Sequence, residues 1–279
     1  MSQPNSSQGM SMTGQEYAFL YHQLRRITGI DLSAYKSQQM QRRLDAYLKR
    51  SGAKNWAEYL HRLERNPQEL RAFRDYLTIN VSSFFRDPER FWQLGDELLP
   101  RLVRLGTELT IWSAGCSYGA EAYSLAMLAE MHGIRRYRVW GTDVDLGALD
   151  KAQAGGPYTA EDVKNVPQEL LQKYLELRAD GWYVRPSLRQ RVTFGEHNLL
   201  ENEIERSFDL VVCRNVMIYF SDEAKQRALN HLVKALRPGG ILFIGGTEVI
   251  PIPLARQLGL QTVGISLYRK EEQLSRGGA

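Results

Sequence analysis

Leu109-Thr110-Ile111-Trp112, a short apolar run with a β-branched and aromatic character, leads into Ser113-Ala114-Gly115-Cys116-Ser117-Tyr118-Gly119-Ala120-Glu121. A helical stretch through Leu125 and Leu128 follows and stops at Gly133. Strand, glycine turn and helix form the opening unit of a nucleotide-type β/α fold, in which glycines let the backbone turn tightly and approach a ligand. Gly115 and Gly119 supply that freedom, but the third glycine of the dinucleotide fingerprint is absent. Glu121 stands near the helix start instead, where its carboxylate repels a phosphate and tolerates an ammonium or hydroxyls. The turn therefore points away from NAD and leaves S-adenosylmethionine folds, which share such turns.

The same alternation continues on the C-terminal side. Tyr137–Thr142, Arg191–Glu196, Phe208–Cys213 and Ile241–Gly246 are apolar runs separated by helical stretches. This pattern predicts an α/β fold with a doubly wound, mainly parallel, Rossmann-like sheet. Ligands of such sheets lie beyond the carboxyl ends of the strands. Asp143 comes first off the second run and is placed to accept ribose hydroxyls, while Asp145 suits a cap of the next helix. Asn198 follows a later run and either reads an adenine edge or serves a turn. Arg214-Asn215-Val216-Met217-Ile218-Tyr219-Phe220 follows Phe208–Cys213. Pro238-Gly239-Gly240 predicts a sharp reversal before the next strand, and Leu260 to Arg269 predicts one antiparallel edge strand.

The N-terminal third is different. Four helix signals run from Thr13 to about Ile79: a capping box Thr13/Glu16 with a stop at Gly29, a helix from about Ser33 to Arg50 ending at Gly52, a second capping box Asn55/Glu58, and a start at Asn66-Pro67. Through Arg86 there are 13 Lys and Arg against 7 Asp and Glu, whereas the rest of the chain holds 23 against 25, within a net charge of +4. Lys36, Arg43 and Arg50 recur every seven residues, with Arg42 and Lys49 beside them, so these cations line about 20 Å of one helix face. A solvated face and a rail for an acidic helix both account for that stripe. Nucleic acid is not expected, because no aromatic-basic interleaving or groove-binding motif accompanies the charge.

Composition excludes several classes. Of 279 residues 43% are hydrophobic and 24% charged, ordinary for a globular chain and unlike collagen or a disordered protein. No apolar run approaches the ~18 residues of a membrane span, and Met1 to Met12 is polar, without a secretion signal, and is read as a disordered tail. Cys116 and Cys213 lack metal-type spacing and are expected as buried thiols in a reducing cytoplasm. No metal site is expected.

Glycine turn with Glu121, strand-end Asp143, Asn198-Leu199-Leu200, Arg214 to Phe220 and Pro-Gly-Gly stand in the order that resembles the chemotaxis receptor glutamate O-methyltransferases, the CheR family. The resemblance spans roughly 15 to 270. It implies a class I S-adenosylmethionine-dependent methyltransferase domain (91–279) with a small antiparallel β insertion at about 175–194, an all-α domain (13–79), and a linker (80–90) that closes over the cofactor. It further implies cofactor contacts from Asn80, Ser82, Arg86, Gly115, Glu121, Asp143, Asn198, Leu199, Asn215 and Val216. Tyr219 matches the tyrosine beside the transferred methyl, and Arg86 joins it as a catalytic residue. Ser82 replaces the usual threonine, Ala122 the usual proline, and Gly246-Thr247-Glu248 the usual His-Ser-Glu.

The implied reaction moves a methyl group to glutamate side chains of chemoreceptor cytoplasmic coiled coils and releases S-adenosylhomocysteine. A glutamate with a reference pKa near 4.3 is already an anionic nucleophile at neutral pH, so the lack of a Ser-His-Asp or metal constellation is no objection. The basic helix then has a partner: Lys36, Arg42, Arg43, Lys49 and Arg50 are the expected receptor contacts. A cytoplasmic monomer is expected, and the short turn at Ala179-Asp180-Gly181 argues against a grip on a receptor's C-terminal peptide. Two other readings, a nucleic-acid methyltransferase and a non-catalytic cofactor-binding adaptor, are separated from this one by a test for base-labile methyl label.

Overall fold

The computed structural model describes residues 12–103 and 108–272. The tail expected over 1–12 lies, apart from Met12, outside the described residues. Two compact units meet in sequence between Leu77 and Thr78.

The first unit is a helical bundle of α1 (Gly14–Thr28), α2 (Ser37–Ser51), α3 (Trp56–Arg65) and α4 (Pro67–Leu77). The Thr13/Glu16 capping box closes reciprocally, and Gly29 ends α1 at φ 77°. Leu24, Leu44, Tyr59 and Phe73 are fully buried at its centre. Three expectations change. First, α2 begins at Ser37, not near Ser33, because Asp31 accepts the Ser33 N–H and shapes Leu32–Ala34 into a separate 3₁₀ turn that Tyr35 ends in extended backbone. Second, Asn55 Oδ1 accepts the Glu58 N–H, but Glu58 reaches back to the Lys54 N–H, so only half of the second box forms. Third, the basic stripe is divided. The Arg43 guanidinium lies 4.6 Å from the Tyr76 ring centre and donates to the Tyr76 carbonyl, while Arg50 lies 4.8 Å from both the Tyr47 and Tyr76 rings. Both cations lie on aromatic faces; Arg43 is half-buried there, whereas Arg50 stays exposed, as do Lys36, Arg42 and Lys49.

The second unit holds a seven-stranded sheet. Its strands are β1 (Leu109–Ala114), β2 (Tyr137–Asp143), β5 (Val192–Glu196), β6 (Phe208–Cys213), β7 (Leu236–Ile244), β8 (Leu260–Gly264) and β9 (Leu267–Lys270), in the order β5-β2-β1-β6-β7-β9-β8. The five from β5 to β7 are parallel, and β9 and β8 add antiparallel. A remaining pair, β3 (Leu175–Arg178) and β4 (Gly181–Val184), makes a separate hairpin. Val192 to Phe194, which the sequence placed in the β insertion, pairs with β2 in the main sheet.

Every residue of β6 is buried, as a central strand covered on both faces requires. The helix Ala120–Met131 is buried from Ala120 through Ala129, consistent with its nearly continuous apolar sequence. Pro238-Gly239-Gly240 does not precede β7 but lies within it. Four residues, Arg237 to Gly240, lie between the paired Leu236 and Ile241, opposite the single Asp209 between Phe208 and Leu210, and the surplus is taken up as a bulge with Gly239 at φ 78°. The single edge strand expected over 260–269 is a hairpin of β8 and β9. From β1 the chain proceeds to β2 and β5 on one side and returns as β6 on the other. The order thus reverses between β1 and β6, the topological switch point where open α/β sheets bind ligands.

Candidate active site

The loop after β1 is drawn tightly over the switch point. Gly115 and Cys116 donate their N–H groups to the Thr142 carbonyl at 2.8 and 2.9 Å, which joins this loop to the end of β2. Gly115 has φ 74°, and a Cβ placed there would lie 2.5 Å from Val216 Cγ2, so two predicted cofactor positions touch. Ser117, at φ 49°, donates its N–H to Asp143 Oδ2 at 2.8 Å, and Asp143 Oδ1 takes the Asp145 N–H at 3.0 Å. Desolvation pushes the Asp143 pKa up, against those two amides that favour its charged form.

Asp145 fills the capping role. Its Oδ1 accepts the Ala148 N–H at 2.9 Å, and its Oδ2 accepts from Thr78 and, at 2.5 Å, from Asn80 Nδ2. Burial raises the Asp145 pKa, but the bonds from Thr78, Ala148 and Asn80 outweigh it and hold the carboxyl below its ordinary value. Asn80 also accepts from Ser117 Oγ at 2.7 Å. Its amide therefore bridges the loops after β1 and β2. Further along, the Tyr118 hydroxyl receives the Ser82 N–H and contacts both the Ser82 carbonyl and Asp162. Arg86 donates to the Val81 carbonyl at 2.9 Å, and its charge also acts on Glu121.

Glu121 sits in the first turn of Ala120–Met131 and is 9% exposed. Ser113 Oγ donates to it at 2.8 Å, and an Arg214 Nη lies 3.6 Å away. Burial lifts its pKa, opposed first by Arg214 and then by Ser113. Beyond β6, Asn215 takes φ 59°, and its Oδ1 is buried without a hydrogen-bond partner. Glu248 anchors this loop by accepting the N–H groups of Asn215, Ile218 and Gly245 at 2.9, 3.2 and 2.7 Å. Tyr219 ends the 3₁₀ turn Met217–Tyr219 on that loop and is half-buried. Asn198 accepts the Leu200 N–H at 3.0 Å in a turn after β5, and the Leu199 carbonyl meets His231 Nδ1 at 2.8 Å.

Among the described residues five non-glycine residues have positive φ, and four of them, Phe85, Asp87, Ser117 and Asn215, belong to the linker or to the loops after β1 and β6. Backbone strain of this kind concentrates where a site dictates geometry. Cys116 and Cys213 are buried, and burial raises both thiols well above their usual range, which keeps them protonated rather than nucleophilic. Sequence reasoning assigned no role to Arg214, Ser113, Ser117 or Glu248. Arg214 carried a signal, a cation directly after a strand that is apolar except for Asp209, where a buried charge requires a partner.

The side chains at the switch point accept hydrogen bonds: two carboxylates and the orphaned Asn215 amide oxygen. S-adenosylmethionine presents ribose hydroxyls, an ammonium and a sulfonium cation, so its donors match these acceptors, whereas a diphosphate would meet like charge.

Comparison with known proteins agrees with that fit. Residues 80–262 match the family model described as the CheR methyltransferase, SAM binding domain, and 15–78 match the CheR methyltransferase, all-alpha domain. The chain belongs to the CheR family. A chemotaxis protein methyltransferase of Listeria monocytogenes is 36% identical over 258 residues, covering 92% of this chain and 97% of that protein. Chemotaxis protein methyltransferase 2 of Pseudomonas aeruginosa is 36% identical over 92% of this chain and 95% of its own length. The Escherichia coli K12 chemotaxis protein methyltransferase is 37% identical over 79% of each chain. This CheR protein is a chemotaxis protein methyltransferase that depends on S-adenosylmethionine. No helix among its described residues is long and apolar enough to cross a membrane.

Proposed function

We propose that the crevice at the β1/β6 switch point binds S-adenosylmethionine and directs its methyl group to glutamates on chemoreceptor cytoplasmic coiled coils, within the cytoplasm and with the protein as a monomer. The observation that carries the assignment is the set of acceptors at the segments that follow β1 and β6: Asp143 holds the Ser117 N–H, Glu121 accepts from Ser113 Oγ, and Asn215 Oδ1 is buried without a partner beside Val216, which touches Gly115. Asp143 holds the ribose hydroxyls, Glu121 and Asn215 face the positive end, and Arg86 pairs with the cofactor's carboxylate. Asn198, through its amide, and Leu199 face the adenine. Asn80 and Ser82 shape the linker over the site through Asp145, Ser117 and Tyr118.

When bound, the donor supplies a methyl carbon made electrophilic by cationic sulfur. The chain's residues need not remove a proton, since the incoming glutamate is ionised at neutral pH. Their task is to exclude water and align three atoms, because water stabilises the separated charges more than a transition state in which they diminish. Tyr219 orients the incoming carboxylate, and Lys36, Arg42, Arg43, Lys49 and Arg50 attract the acidic receptor helix. The hairpin of β3 and β4, with four residues per strand, supports receptor engagement without a grip on a C-terminal peptide.

Calorimetric titration with S-adenosylhomocysteine tests the binding site. The wild type binds, and Asp143→Ala loses at least tenfold in affinity. Equal affinities for the two proteins would remove Asp143 from the site.

A further inference from the structure

Arg214 follows β6 with its side chain 1% exposed. One Nη lies 2.7 Å from Asp87 Oδ2 and the other 3.6 Å from Glu121 Oε2. The rings of Phe243 and Phe91 stand 4.7 and 5.3 Å from its Cζ, and its Nε is buried without a partner. Burying a guanidinium carries a large desolvation cost before any pairing, and an apolar side chain between two phenylalanines avoids that cost. An apolar side chain cannot present N–H donors to carboxylates on two separate segments. Asp87 opens the helix Pro88–Gln93 at φ 57°, two residues after Phe85 at φ 47°. Glu121 belongs to the first turn of the helix Ala120–Met131. The cation thus ties a strained linker segment to a carboxylate at the switch point.

We infer that Arg214 is a positioning residue for methyl-donor binding, fastening the Asp87 end of the linker to Glu121 and fixing the orientation of the Glu121 carboxylate. This rests on the reading that Glu121 faces the donor. Its geometry separates Arg214 from a residue that only fills space. Asp87 is 45% exposed and bonded to the guanidinium, so it influences the donor through Arg214 and Glu121.

The test combines calorimetry with S-adenosylhomocysteine and receptor methylation kinetics on the full chain, using Asp87→Asn, Glu121→Gln, their double variant, Arg214→Lys and Arg214→Gln. Asp87→Asn is expected to weaken affinity three- to tenfold while kcat stays within twofold. In the Glu121→Gln background the same substitution should change affinity by less than twofold. Arg214→Gln should lose at least tenfold, with Arg214→Lys recovering part of the loss. If Arg214→Gln does not fold, the Asp87 and Glu121 cycle decides, because Asp87 is half exposed. Wild-type affinity in Asp87→Asn, or the same loss in both Glu121 backgrounds, overturns the role of Arg214 while the donor site stands. Unchanged affinity in Glu121→Gln overturns the reading of Glu121 itself.

Discussion

Gly115 and Val216 meet so closely that a Cβ at position 115 would fall 2.5 Å from Val216 Cγ2. The contact joins the loops after β1 and β6 across the point where strand order reverses. Gly115→Ala adds that methyl at φ 74°, so both the clash and the backbone oppose it, at a cost of about 1–3 kcal/mol. Thermal denaturation should show a lowered Tm, and calorimetry at least a tenfold loss of S-adenosylhomocysteine affinity. Adding Val216→Ala should return part of the Tm by relieving the clash.

Asp145 links acid stability to the site. Its folded pKa is depressed, the bonds from Thr78, Ala148 and Asn80 outweighing the raising effect of burial. Its contribution is therefore present above the unfolded value near 3.9 and is lost as pH falls through the lower folded value. Asp145→Ala removes a helix cap and buried acceptors, which costs about 2–4 kcal/mol at neutral pH. Urea unfolding at pH 7 should show that gap between wild type and variant, and the gap should narrow as pH falls below about 4. A gap independent of pH would mean that the carboxylate's charge contributes nothing.

Tyr219 and the cofactor acceptors have separable effects. Tyr219→Phe keeps the ring and removes the hydroxyl that orients the incoming carboxylate. Receptor methylation should slow roughly tenfold in kcat, equivalent to ~1.4 kcal/mol of barrier, with donor affinity within twofold of wild type. A fall in donor affinity with unchanged kcat would move Tyr219 from orientation to cofactor binding.

The exposed cations of α2 provide the test of receptor attraction. Arg43 and Arg50 stack on Tyr47 and Tyr76, so reversing them would also disturb the bundle. Arg42→Glu with Lys49→Glu avoids that packing. The pair should lower kcat/KM for a receptor fragment about tenfold at low salt and less at high salt, where screening weakens the attraction. Donor affinity should not change. Equal kcat/KM for both proteins at low salt would leave these two cations a solvated face.

The parallel strands were legible because a buried strand demands a mainly apolar run, as in Phe208–Cys213 with Asp209 its one polar residue, and a helix start demands a side-chain acceptor, as at Thr13. Boundaries set by competing local bonds were not. Asp31 captured the Ser33 N–H and delayed α2, and Glu58 bonded Lys54 rather than Asn55. Pro238-Gly239-Gly240 has the composition of a turn, yet neighbouring β6 absorbed it as a bulge. In the site, Asp143 was legible from its position at a strand end. Arg214 was not, because its partners Asp87 and Glu121 lie 127 and 93 residues away in sequence and only folding unites them.

Methyl transfer to a carboxylate leaves a product that alkali distinguishes from other methylated groups. Purified protein is incubated with S-adenosylmethionine carrying a radiolabelled methyl group and a chemoreceptor cytoplasmic fragment, and the fragment is then treated with alkali. Label is expected on the receptor and is released as volatile methanol, as a glutamate methyl ester requires, and no label is expected when the acceptor glutamates are replaced by alanine. Absence of receptor label, or label that resists alkali, would contradict methyl transfer to a glutamate carboxylate.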